Sequence, residues 1–143
     1  MNWGRIILAV VVGGIVLWLA NFGLHGFVMA NTYMEYPEVF NQEASNPLWF
    51  LLLELLIALP AAVIFSKTRG SWAAGAKGGL VFGFWVGFLG FFPQLFNPLV
   101  IEGFPYYLGW CWGGINLIVS LLLGVVLGVV IKGGSPSGAA ATP

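Results

Sequence analysis

The chain has one cysteine, one histidine and no aspartate, and its five Lys plus Arg balance five Glu, so that charged residues are only 7% of 143. A lone cysteine, Cys111, excludes an internal disulfide, a CxxC redox pair and any cysteine-based zinc cage; it reads as a small apolar filler in a helix. No nucleophile stands near a base in sequence. No glycine-rich loop follows a strand to cradle a phosphate, and no His, Cys or acidic cluster has metal-ligand spacing. The expectation is a protein with no catalytic residues, no metal, no cofactor and no nucleic-acid partner.

What fills the chain instead is apolar. Hydrophobic residues are 59% and aromatic residues 16%, with a mean hydropathy of +0.95, whereas soluble domains carry roughly a quarter charged residues. Four segments reach the ~20 residues that a ~30 Å hydrocarbon core demands: residues 6–28, 48–65, 73–92 and 106–131. The expected fold is all-α, an integral membrane four-helix bundle of two helical hairpins over residues 1–132. Residues 133–143, rich in Gly, Ser, Ala and Pro, read as a disordered cytoplasmic tail. Arg5 before the first apolar run imitates a signal peptide. That run carries Asn21 and His25 and lacks a small-residue cleavage site, so it is expected to stay.

The few charges are segregated. Arg5, Lys67, Arg69, Lys77 and Lys132 flank one set of helix ends, while Glu35, Glu38, Glu43 and Glu102 fall in the first and third connections. By the positive-inside rule both termini and the second connection are expected on the cytoplasmic side, with the acidic connections outside. Tyr33, Tyr36, Trp49, Tyr106, Tyr107 and Trp110 gather near the outer boundary and Trp3 and Trp72 near the inner one, where amphipathic rings settle. The third connection, residues 93–105, is proline-bounded and apolar and is expected to dip into the headgroup region.

Gly75, Gly79, Gly83 and Gly87 recur every fourth residue, which on a helix makes one face bare backbone, opposite Trp85, Phe88 and Phe92. In lipid, where apolar burial gives helices no reason to associate, such a face permits the close approach that packing and Cα–H···O contacts require. The last helix carries a matching ridge of Gly113, Asn116, Ser120, Gly124 and Gly128. The first and second helices repeat the device with Ala9, Gly13, Leu17, Asn21 and His25, and with Glu54, Ala58 and Ala62.

Polar residues therefore ride on the faces expected to point inward: Asn21, His25, Glu54, Asn116 and Ser120. Glu54 is the only acid inside a span, seven residues past Pro47, or about 10 Å below the outer boundary. An ionised carboxylate at such depth costs ~2.5–3.5 kcal/mol or more, so it needs a partner or a proton. Asn21, His25 and Asn116 are the candidates, if the bundle brings their helices together. The set reads as a register-fixing hydrogen bond, as a proton or cation site, or as a contact to another subunit or a lipid. His25 alone, with no second axial candidate, makes a poor haem or pigment ligand. Pro60 is expected to kink the second helix.

The opening Met1-Asn2-Trp3-Gly4-Arg5, the following Gly13-Gly14 helix and Asn21-Phe22-Gly23-Leu24-His25-Gly26 resemble small four-span bacterial inner-membrane proteins of unknown function that begin M-N-W-x-R. The resemblance implies a multi-pass protein of the bacterial inner (plasma) membrane and supplies no activity. The functional expectation is association through helix packing. The chain would be an accessory or scaffold subunit of a larger membrane complex, or a homo-oligomer, with lipid and other subunits or itself as partners. The alternative is a small proton, cation or solute permeation protein that uses Glu54.

Overall fold

The computed structural model describes residues 1–40 and 46–132, so Glu43 and the expected tail, residues 133–143, lie outside the described residues. Among the described residues the fold is all-α, a four-helix bundle, and its four long helices are apolar and long enough to cross a membrane: Trp3–Val28, Pro47–Lys67, Gly75–Val100 and Tyr106–Val130. It is a multi-pass membrane protein.

Helix α1 (Trp3–Gly23) starts where the Asn2 side chain accepts the Arg5 amide at 3.2 Å, relieving one of the amides a helix leaves unbonded at its start. It passes into one π-helical turn, Leu24–Val28, which closes with the Met29 amide on the Leu24 carbonyl at 3.0 Å. The short α2 (Ala30–Met34) follows. α3 (Pro47–Lys67) is capped by the Asn46 side chain, which accepts the Leu48 amide at 3.0 Å, and has Pro47 in its first turn, where the missing N–H has no helical partner to lose. It runs on through Pro60 as one helix.

A 3₁₀ turn, Arg69–Ser71, leads to α4 (Gly75–Phe91), entered by Gly75 at φ +67°, a conformation that a side chain would strain. Pro93 then withdraws an amide, and the chain tightens to 3₁₀ over Phe92–Phe96 before the short α5 (Asn97–Val100). The third span is therefore longer than the expected 73–92, and the connection expected to dip into the headgroup region is helical as far as Val100. Its exposed Leu99 and Val100 retain the apolar surface that motivated an interfacial placement. α6 (Tyr106–Val130) completes the bundle.

α1 lies between α3 and α6, and α4 packs on the remaining side of α6. The glycine ladder meets the ridge on α6. A Cβ at Gly79 would stand 2.0 Å from the Gly124 carbonyl oxygen, one at Gly124 2.1 Å from the Gly79 oxygen, and one at Gly83 2.3 Å from the Ser120 oxygen. Backbones this close leave no volume for a methyl group. Gly128 faces the Gly75 carbonyl and Gly87 faces Leu117 and Ser120, whereas Gly113 receives the Phe91 ring and Gly75 itself has open space around its Cβ position. Across α1 and α3, Gly14 sits against Leu55, and Gly13 against Leu123 of α6 with Ala58 of α3 nearby.

The half of the bundle nearer the basic residues is packed solid: Ile6, Ala9, Leu17, Ala58, Ala62, Phe65, Leu123 and Leu127 are all buried. Arg69 ties it together, its Nε donating to the Ile131 carbonyl at 3.0 Å and its Nη1 to the Trp72 and Ala73 carbonyls at 3.0 and 3.1 Å. Leu52, Leu53, Leu56 and Ile57 of α3, and Val81, Trp85 and Leu89 of α4, are exposed and form the apolar exterior that lipid covers.

Candidate functional site

The other half is not solid. A half-enclosed cavity of about 680 Å³ opens between α1, α3 and α6 and is lined by Asn21 and His25 of α1 and its π turn, Glu54 of α3, Asn116 of α6 and Gln94. Rings of Trp18, Phe22, Tyr33, Phe40, Phe50 and Trp112 form most of the remaining wall. The size falls within the ~300–1,000 Å³ of small-molecule sites, and a mainly apolar wall with a few polar groups is their usual make-up.

Four of the five polar residues singled out in the sequence thus face one space, but they do not converge on Glu54. Asn21 does: its Nδ2 donates to Glu54 Oε1 at 2.6 Å. His25 turns away to a hydrogen bond between its Nδ1 and the Tyr33 hydroxyl. Asn116 donates to the Gly87 carbonyl at 3.4 Å, lying over the bare face of α4, where a Cβ at Gly90 would stand 2.2 Å from its Nδ2. Ser120 is buried in the α4–α6 contact and does not line the cavity. Of two positions on one ridge, one turn apart, both sit on the packing seam and only Asn116 also reaches the cavity.

Trp112 was not singled out in the sequence, and Tyr33, expected only among the rings of the outer boundary, is instead buried in the site. Trp112 Nε1 donates to the Tyr33 hydroxyl at 2.9 Å, and an indole N–H can only donate. The phenol oxygen thus accepts from Trp112 and shares a second hydrogen bond with His25 Nδ1, whose direction follows the imidazole tautomer. Tyr33 is 6% exposed, and burial pushes its phenol up to about 12 against the opposing pull of the Trp112 bond. It remains a neutral phenol throughout the physiological range. Trp112 precedes Asn116 by one helical turn, so its spacing carried a signal. The contact of Tyr33 with His25 gave none, because the π turn and α2 fold it back with the rings stacked at 5.9 Å and 13°.

The apolar end of the network is closed by Phe40 and Phe104, with ring centroids at 4.8 Å for Tyr33–Phe40 and 5.1 Å for Phe104–Trp112. Such pairs add about 0.5–1.5 kcal/mol each beyond simple burial. Toward the basic end the cavity stops at Leu17, Ala58 and Leu123, all buried, so no polar path continues through the bundle among the described residues. No group of three His, Cys, Asp or Glu able to hold a metal occurs among the described residues.

No protein-family profile, curated protein or solved structure matches the chain.

Proposed function

We propose that this membrane protein binds a small amphiphilic solute in the cavity between α1, α3 and α6, and acts by holding it within the bilayer without converting it. The carrying observation is that Asn21, His25, Glu54 and Asn116, from three helices, line one half-enclosed space with aromatic walls. A bundle that needed these groups only for register would have closed over them, since unfilled volume forfeits packing contacts.

The accessory-subunit or homo-oligomer reading draws on small-residue ridges in excess of what four helices need. In the bundle those ridges are occupied within the chain: Gly79, Gly83 and Gly87 on α6, Gly13 and Gly14 on α3 and α6. The permeation reading keeps its binding site and lacks a second half to its path, because Leu17 and Leu123 seal the way below Glu54. The cavity then lies in the outer half of a bacterial inner membrane with both termini cytoplasmic. Supporting this are the basic residues Arg5, Lys67, Arg69, Lys77 and Lys132 at the opposite end and the M-N-W-x-R resemblance.

Native mass spectrometry of protein extracted in mild detergent tests the reading. Gly26 lines the cavity, and a Cβ there meets only the Phe22 ring, at 3.6 Å, so Gly26→Leu adds a side chain at its wall without a clash at the backbone. A bound small molecule on the wild-type chain that is missing from Gly26→Leu is expected. An identical adduct on both would place binding elsewhere.

A further inference from the structure

The cavity holds one acid among neutral polar groups. Trp18 Nε1 donates to the Pro47 carbonyl at 3.1 Å, Trp112 Nε1 to Tyr33, Asn21 Nδ2 to Glu54 and Asn116 Nδ2 to Gly87. The second amide hydrogens of Asn21 and Asn116 remain, with the Gln94 amide. Among the described residues Glu54 receives one hydrogen bond, whereas a carboxylate offers about four lone-pair sites.

Charge points the same way. All five basic residues lie at the far end of the bundle, and none lines the cavity. An anion entering here would meet an acid and no Lys or Arg to balance it. A cation would meet the acid and the faces of several rings, which attract positive charge through their quadrupoles. Inside the hydrocarbon, a carboxylate is tolerated when a counter-charge shares its site.

We propose that the cavity takes an organic monocation, an amphipathic amine or quaternary ammonium or phosphonium ion, with Glu54 as its counter-ion and the Trp18, Phe22, Phe40 and Phe50 rings as its walls. This rests on the reading of the cavity as a solute site and adds the sign of the solute's charge. Asn21 is then a positioning residue: its bond to Oε1 holds the carboxyl so that Oε2 is turned to the ligand.

The test uses two ions of the same shape and opposite charge, tetraphenylphosphonium and tetraphenylborate, in equilibrium dialysis against the detergent-solubilised full chain. Wild type is expected to bind the phosphonium saturably, one per chain, and the borate not at all. Glu54→Gln should weaken the phosphonium by about tenfold or more, the loss of one well-placed charge contact, and Gly26→Leu should abolish it. Borate binding as tight as phosphonium binding, or Glu54→Gln within about twofold of wild type, would overturn the cation assignment and leave the solute site standing. No saturable binding of either ion by wild type, or phosphonium binding unchanged by Gly26→Leu, would remove both. The comparison of the two ions on the wild-type chain stands even if a variant fails to fold.

Discussion

Asn21 and Glu54, 33 residues apart, join α1 to α3 through one hydrogen bond of 2.6 Å, at the level where the packed half of the bundle gives way to the cavity. Below them Leu17 and Ala58 are closed to solvent. The bond therefore marks the floor of the site and fixes the register of the two helices that form it.

A double-mutant cycle on this pair measures what the bond contributes. Glu54→Gln keeps an acceptor for Asn21 and is expected to leave assembly intact, whereas Glu54→Leu strands the Asn21 amide. In lipid the unfolded helices also find partners, so interhelical bonds average about 0.6 kcal/mol and reach about 1.7, below the ~1–3 kcal/mol of an unsatisfied group in a soluble core. A coupling energy within that lower range between Asn21→Leu and Glu54→Leu is expected from denaturant titration in detergent. A coupling of zero would mean the bond is not formed.

The α4–α6 seam makes a sharper demand. Gly83→Leu and Gly87→Leu should collapse the folded yield, because a Cβ at these positions already stands 2.3 Å from the Ser120 oxygen and 2.9 Å from Leu117 Cα and Ser120 Cβ. Val81→Leu, on an exposed position of the same helix, should change the yield and size-exclusion profile little. Gly114→Ala is the internal control on α6, since nothing lies within 4 Å of its Cβ position. Equal tolerance of all four would mean that α4 does not approach α6 as the fold requires.

What could be read from the sequence and what could not divide along a physical line. The spans followed from run length and the seam from a four-residue glycine period, because both are local properties of one helix. Helix ends moved where local chemistry competed, as at Pro93, where the chain stays helical in tighter form to Val100. The site was half legible. Polar residues on small-residue faces located Asn21, His25, Glu54 and Asn116, but their partners depended on helix rotation and on a π turn that no periodicity announces. Asn116 and Ser120, adjacent on one ridge, both meet Gly87 of α4, and only Asn116 also lines the cavity. Tyr33 depends on a connection folding back, which is a tertiary property.

Tyr33 offers a prediction in pH. Its phenol, ordinarily near 10, is raised to about 12 by burial. The folded chain thus favours the neutral form, and the stability it gives is whole below pH 10 and is lost as pH rises toward 12. A phenolate absorbance titration should show a component ionising at about pH 12, and Tyr33→Phe should remove that component. The same change leaves Trp112 Nε1–H and His25 Nδ1 without their shared partner, at a cost of about 1–3 kcal/mol at most. An unaltered titration in Tyr33→Phe would place the late tyrosine elsewhere.

Arg69 stitches the end of α3 to the carbonyls of Trp72, Ala73 and Ile131 while its guanidinium lies 5.3 Å from the Phe65 ring centroid. A lysine carries the charge as a compact point and lacks the planar fork that serves two directions at once. Arg69→Lys should therefore speed amide exchange in the turn before α4 and at the end of α6, without changing the cavity. Exchange as slow as in the wild type would show that charge alone holds this end.

The orientation of the chain rests on its charges and can be read directly. In a Cys111→Ala background, which removes the sole cysteine, Glu38→Cys places a thiol on an exposed position of the connection at the cavity end, and Lys132→Cys places one at the opposite end. Lys and Arg retained on the cytoplasmic side put the first thiol outside. In intact cells a membrane-impermeant maleimide should label the Glu38→Cys chain and spare the Lys132→Cys chain until the membrane is opened. The reverse pattern would turn the cavity toward the cytoplasm, so that its solute would be drawn from the inner leaflet and the acidic connections would face the cell interior against the distribution of every basic residue in the chain.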